Sequence, residues 1–110
     1  MYLVDYGAIS HYIDNQFTNI LYYFIMPRFG HDLETLFNQG IHFDRDKIYN
    51  IGNKTLSCLR KVHEAGYIFN DLKLENLLLD YKAKLTPTSD IKLIDYGFCT
   101  KYLKKGKHID

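Results

Sequence analysis

The most constraining feature of this sequence is a polar segment set between two short apolar runs. Within it, Lys73 and Asn76 follow Asp71 at offsets of two and five. Further along, Asp95 stands directly before an aromatic residue and Gly97. Short apolar runs bounded by polar residues are typical of strands. The chain is therefore expected to fold with these polar side chains in a loop that re-enters a sheet.

The spacing meets the needs of phosphoryl transfer, whose loose anionic transition state requires mainly positioning and positive charge. Asp71 is expected to act as catalytic base and accept the proton of an incoming hydroxyl, and Lys73 to neutralise charge on the γ-phosphate. Asn76 and Asp95 supply the amide and carboxylate oxygens that Mg²⁺ prefers. Gly97 permits a sharp backbone turn. Alone, each short motif is more often a solvated turn, and their joint order favours the catalytic interpretation.

The N-terminal part is predicted to form two strands. One spans 2–9, and the other spans 20–26 and is closed by Pro27. Residues 14–16 favour a turn between them. The two runs are therefore expected to pair antiparallel.

A short helix is predicted to follow, with Asp32 near its N-cap and Gly40 at its end. Leu33, Leu36 and Phe37 are expected to share one face of this helix.

A longer helix is predicted over 47–65, capped by Asp44 or Asp46 and followed by Gly66 in a left-handed conformation. Its apolar positions recur at helical spacing and predict one buried stripe. The stripe consists of Ile48, Ile51, Cys58, Leu59 and Val62. Beyond the polar loop we expect a strand at 77–79, a hairpin, and a strand at 91–94 that delivers Asp95.

Bulk properties set broad limits on the protein. A length of 110 residues allows one domain or a piece of one. The net charge of +1 favours neither nucleic acid nor an anionic membrane. Cys58 and Cys99 lack metal-ligand spacing and are expected to be reduced thiols. Without an evident signal peptide or long apolar run, we expect an intracellular chain, cytoplasmic or nuclear.

The joint pattern resembles the catalytic and magnesium loops of eukaryotic protein kinases. Nearly all of the chain is covered, but less than half of a kinase domain. The resemblance implies an α+β fold: strands of the small lobe over 1–26, a hinge over 27–30, and the start of the large lobe through the early activation segment over 31–110. Within the kinases the chain is most similar to the casein kinase 1 family, through 30–37, 101–102 and 108–109.

The resemblance implies an ATP-dependent serine/threonine protein kinase that uses Mg²⁺ and a protein substrate. For the apolar members of the implied nucleotide site, ordinary core packing is the alternative role. For Asp32 the choice is between a ribose contact and helix capping alone. The implied nucleotide-binding residues are Met26, Pro27, Phe29, Asp32, Leu78 and Ile94.

Two departures from the family pattern leave other functions open. Phe69 and Asn70 stand where kinases usually have His-Arg, so activity is expected not to depend on phosphorylation of the activation segment. The sequence also begins without the glycine-rich loop and the strand lysine that hold ATP. We therefore expect these 110 residues alone to be inactive. The alternatives are a non-catalytic nucleotide-binding or scaffold module and a truncated gene product.

Overall fold

The structure is a computed structural model that describes residues 5–104, 107 and 108. The first residues of the predicted strand 2–9, and Ile109 of the casein kinase 1 match, lie outside the described residues. In chain order the elements are β1 (Asp5–Ile13), β2 (Gln16–Ile25), β3 (Phe29–Asp32), α1 (Leu33–Asn38), α2 (Arg45–Glu64), β4 (Tyr67–Ile68), a 3₁₀ turn (Leu74–Asn76), β5 (Leu77–Asp80), β6 (Lys92–Leu93), β7 (Thr100–Lys101), β8 (Leu103–Lys104) and β9 (Lys107–His108).

The first two strands form the predicted antiparallel pair. They meet at a two-residue turn, Asp14 and Asn15, whose φ angles of 50° and 64° suit the twist of a tight hairpin. Pairing runs from Asp5 opposite Ile25 to the turn, so both strands are longer than predicted. The hydrogen bonds between the strands continue through the polar residues near the turn. A prediction from apolar patterning does not include those residues.

The two helices begin at acidic caps. Asp32 accepts a hydrogen bond from the amide of Thr35 (3.0 Å), and Asp44 accepts one from that of Lys47 (3.0 Å). The sequence left Asp44 and Asp46 as alternatives, and Asp44 is the cap. Gly66 has a φ of 92°, as predicted for the residue after α2. No helix of the described residues is long and apolar enough to cross a membrane.

The apolar faces predicted for the two helices are buried only in part. Phe37 is 61% exposed and meets Phe43 edge-on, because α1 is a short helix whose buried positions are Leu33 and Leu36. Ile48 is 56% exposed, because α2 contacts the strands β4 and β6 rather than burying its first turn.

The core lies where α1 and α2 meet a three-stranded antiparallel sheet of order β3–β5–β6. The strand β3 falls where the sequence predicted a hinge followed by a helix start. Gly30 permits its pairing, since a Cβ there would collide with the backbone carbonyl of Asp80 in β5. The buried apolar residues are Leu33, Leu36, Val62, Phe69, Leu77, Leu79, Ile91 and Leu93.

Two further strand pairs organise the C-terminal part. β7 pairs antiparallel with β4, placing Thr100 opposite Ile68, and β8 pairs with β9. The hydroxyl of Tyr102 donates to the carbonyl of His63 (2.7 Å) at the end of α2. The chain after Asp95 therefore returns to the point where α2 leads into the polar loop.

Candidate active site

The polar loop is organised by Asn76, the last residue of the 3₁₀ turn. Asn76 is only 4% exposed. Its Nδ2 donates to the Asp71 carbonyl (2.9 Å) and to Asp71 Oδ2 (3.1 Å). The Asn76 backbone N–H donates to the carbonyl of Lys73 (3.0 Å). The side-chain nitrogen of Asn76 thus orients Asp71. The other polar atom of this amide, Oδ1, is of the type that can act as an oxygen ligand.

Lys73 lies beside the same carboxylate. Its Nζ is 3.8 Å from Asp71 Oδ2, and the Lys73 side chain is 48% exposed. An exposed ion pair of this length stabilises a protein by only about 0–1 kcal/mol. The structure therefore brings Asp71, Lys73 and Asn76 together, while leaving the ammonium group accessible to an anionic ligand.

Asp95 reaches the same region from the neighbouring strand. The N–H of Ile94 donates to the Asn76 carbonyl (3.0 Å), which places Asp95 one residue beyond a direct link to Asn76. Asp95 is exposed and has a φ of 66°. A non-glycine residue held in this left-handed region is often found at functional sites.

The donor set at this point fits a magnesium ion better than a metal bound wholly by protein. Among residues 5–104, no group of three or more His, Cys, Asp and Glu side chains is arranged to hold a metal. The carboxylate of Asp95 and the amide oxygen of Asn76 are hard oxygen donors. Mg²⁺ is typically bound by one or two such groups together with water and substrate phosphates.

The six predicted nucleotide-binding residues are brought together only in part. Phe29 and Asp32 lie in β3, which pairs with β5, where Leu78 stands opposite Asp32. Leu78 and Ile94 are half-buried. Met26 and Pro27 lie in the connection before β3, and the pairing of β3 with β5 links neither of them to Leu78.

Asp32 has a structural partner for each carboxylate oxygen. Oδ2 accepts from the Thr35 amide, and Oδ1 accepts from the Thr35 hydroxyl at 2.5 Å. Partial burial opposes ionisation, but these hydrogen bonds outweigh it and hold the pKa of Asp32 below its ordinary value. Helix capping, one of the two roles expected for Asp32, is therefore present.

An open cavity of about 760 Å³ lies between α2 and β6 and is lined by none of the ten predicted site residues. In the described part of the chain, this cavity therefore does not mark the polar loop. The loop is identified instead by the geometry of its side chains.

A family model for the protein kinase domain matches residues 4–109.

The chain belongs to the protein kinase domain family.

Curated relatives agree with this family. The chain is 33% identical to human serine/threonine-protein kinase VRK2 over 78% of its own length and 16% of the relative. It is 31% identical to the probable serine/threonine-protein kinase FPV212 of Fowlpox virus (strain NVSL), over 84% of the chain and 29% of the relative. It is 29% identical to the B1 kinase of Vaccinia virus (strain Western Reserve), over 83% and 30%. The chain thus spans less than a third of each of these relatives.

Phe69 joins the polar loop to the core. It is 2% exposed and packs edge-on against Tyr96, with ring centroids 5.4 Å apart. The Tyr96 hydroxyl donates to the Leu93 carbonyl (3.0 Å). Burial, with smaller contributions from Cys58 and Cys99, raises the pKa of Tyr96.

Asn70 lies in the polar loop, and the sequence identified it only as the position of a missing arginine. Its Nδ2 donates to the Phe98 carbonyl (3.0 Å) and to Thr100 Oγ1 (2.8 Å). Its φ is 67°. The available sequence signal was the residue type, because asparagine tolerates the left-handed region better than most residues.

Proposed function

We propose that the protein containing this chain is a serine/threonine protein kinase that transfers the γ-phosphoryl group of ATP to protein hydroxyls. The observation that carries the proposal is the pair of hydrogen bonds that Asn76 Nδ2 donates to Asp71. They orient the Asp71 carboxylate beside an amide whose oxygen is a possible metal ligand. The similarity to serine/threonine-protein kinase VRK2 and to the probable serine/threonine-protein kinase FPV212 supports the hydroxyl specificity.

In this proposal Asp71 accepts the proton of the substrate hydroxyl as the oxygen attacks phosphorus. Lys73, beside it, counters the negative charge that the transferred group carries. Asn76 and Asp95 hold Mg²⁺, which when bound neutralises charge on the phosphates and orients them. Preorganisation by Asn76 supports the role of Asp71, since a base held in place requires no reorganisation during the reaction.

The nucleotide site of the proposal lies along the β3–β5–β6 sheet. The half-buried side chains of Leu78 and Ile94 would contact adenine, with Met26 and Pro27 in the connection before β3 and Phe29 in β3 itself. Asp32 would reach the ribose in addition to capping α1. The register that sets β3 against β5 supports this arrangement for Phe29 and Leu78, since both lie in one sheet.

Three finer assignments remain predictions within this proposal. They are the division into small-lobe strands, hinge and large lobe, the specific similarity to casein kinase 1, and a cytoplasmic or nuclear location. The protein substrate belongs to the same group, because the family implies a protein hydroxyl without identifying its sequence.

A direct experiment compares the full-length protein with its Asp71→Asn variant in a phosphoryl-transfer assay with γ-labelled ATP and a mixed protein substrate. We expect transfer to fall by at least about 100-fold, since general base catalysis typically contributes 10²–10⁴-fold. Asp46→Asn, an exposed change in the first turn of α2, is the matched control and should retain transfer.

A second measurement separates catalysis from nucleotide binding alone. ATP with Mg²⁺ should raise the melting temperature of the wild type, and Asp95→Ala should lose the magnesium-dependent part of that shift. A wild type that shows the shift without transfer would support the non-catalytic module instead. Transfer that persists in Asp71→Asn would contradict the proposal.

A further inference from the structure

Asn70 connects two parts of the site that are far apart in sequence. It stands between β4 and Asp71, and its side-chain amide reaches the Phe98 carbonyl at 3.0 Å and the Thr100 hydroxyl at 2.8 Å. Both acceptors follow Asp95 in the chain. A single amide group therefore links the residue beside the proposed base to the segment beyond the proposed magnesium ligand.

Backbone contacts on the N-terminal side of Asn70 also join the loop to the segment after Asp95. Thr100 lies opposite Ile68 in the β4–β7 pair, and the N–H of Tyr102 donates to the Gly66 carbonyl (2.9 Å) just before β4. The side chain of Asn70 extends this ladder past the end of β4. The segment is consequently tied to both ends of β4.

The left-handed conformation of Asn70 is what allows this contact. With a φ of 67°, the chain turns directly after β4. Glycine would adopt this backbone more freely but has no side chain to bridge the gap. Asparagine tolerates the left-handed region and has a side-chain amide with two N–H donors. Here these donors bond to the Phe98 carbonyl and the Thr100 hydroxyl.

We propose that Asn70 is a positioning residue: its amide holds the segment after the Asp-Tyr-Gly turn against the catalytic loop and so keeps Asp95 in register with Asp71 without a phosphate. This inference rests on the proposed function and adds its mode of regulation. The link uses a neutral amide, a carbonyl and a hydroxyl. No ion pair joins residues 98–101 to the polar loop in the described part of the chain.

The test uses four variants of the full-length protein. Asn70→Gly keeps the left-handed backbone and removes the amide. Thr100→Val removes one acceptor, and Thr100→Ser restores it. Lys82→Gly is the matched control, because Lys82 is another left-handed residue (φ 60°) whose ammonium group only approaches the ring of Tyr81.

The first readout is hydrogen exchange of the peptide that contains the Tyr102 amide. Two hydrogen bonds of ordinary strength predict exchange about 10-fold faster in Asn70→Gly. Thr100→Val should show about a 3-fold increase, and Thr100→Ser should match the wild type. Exchange in Lys82→Gly should be unchanged. Wild-type exchange in Asn70→Gly overturns the proposal.

The second readout distinguishes positioning from general stability. It is the Mg²⁺ concentration that produces half of the ATP-induced increase in melting temperature. A displaced Asp95 should raise this concentration several-fold in Asn70→Gly and leave it unchanged in Lys82→Gly. A lower melting temperature in Asn70→Gly with an unchanged Mg²⁺ requirement shows a merely structural role and overturns the proposal.

Neither readout requires phosphoryl transfer, so the two proposals fail separately. A wild type without transfer but with the expected exchange and Mg²⁺ changes would contradict the kinase function while supporting the link through Asn70. In an active wild type, phosphatase treatment should leave the rate unchanged. A large loss of rate after phosphatase treatment would show that a phosphate, not Asn70, maintains the register.

Discussion

At the scale of single residues, the site depends on side chains with more than one contact. Asn76 donates twice to Asp71, Asn70 donates twice across to the segment after Asp95, and Asp32 uses both oxygens as a cap. The sequence predicted Asp71, Asn76 and Asp95 by their spacing. It did not predict the contacts of Asn70, because they depend on residues 28 and 30 positions away.

Substitutions at Asp32 separate its observed cap from its proposed ribose contact. Asp32→Ala should lower the free energy of unfolding by about 1 kcal/mol, and Asp32→Ser should retain most of it because serine also caps helices. If the carboxylate contacts ribose, both variants should weaken ATP binding. Chemical denaturation and nucleotide titration measure the two effects. Equal stability of the two variants would contradict the capping role.

The lowered pKa of Asp32 also predicts a loss of stability in acid. The folded state favours the ionised carboxyl, so its contribution is present above the unfolded pKa and is lost as the pH falls through the folded pKa. Melting temperatures of the wild type and Asp32→Ser should therefore converge below about pH 4. A difference that stays constant from pH 7 to pH 3 would contradict this.

Tyr96 has the opposite dependence on pH. Burial raises its pKa, so its contribution to stability is present below the unfolded pKa of 10.0 and is lost as the pH rises through the higher folded value. Tyr96→Phe should cost about 1 kcal/mol at neutral pH by removing the hydrogen bond to Leu93, and should reduce the alkaline loss. Denaturation at neutral and alkaline pH tests both effects. Equal alkaline losses in the two proteins would contradict the role of Tyr96.

At the scale of elements, patterning predicted the parts that depend on local sequence. The β1–β2 hairpin and α2 follow from apolar periodicity, turn residues and caps. The strands β3 and β7 were missed, since they are four and two residues long and owe their existence to distant partners. Such pairing depends on tertiary contacts rather than on local propensity.

Gly30 provides the sharpest test at this scale. Gly30→Ala should force β3 away from Asp80 and cost about 1–3 kcal/mol, the usual range for overpacking. Gly52→Ala is the matched control: its Cβ would meet nothing within 4 Å, and the change should stabilise α2 by about 0.5–1 kcal/mol. Urea denaturation of both variants measures the two effects. Equal effects at the two glycines would contradict the close approach.

At the scale of the whole molecule, the described residues hold a well-packed sheet and helix core next to a two-stranded ribbon with exposed side chains. Tyr22 in β2 is 81% exposed and Phe24 is 63% exposed. The chain spans 16–30% of the relatives reported above. The polar loop lies on the core rather than on the ribbon, so the residues proposed to perform the chemistry have packed support.

The central claim is that Asp71, oriented by Asn76, is the base that accepts the proton of a serine or threonine hydroxyl as ATP phosphorylates it. The most direct measurement is phosphoamino-acid analysis of protein labelled by the full-length wild type from γ-labelled ATP and Mg²⁺, with Asp71→Asn in parallel. We expect phosphoserine or phosphothreonine with the wild type and essentially no label with the variant. Equal labelling by both proteins, or label on tyrosine alone, would contradict the claim.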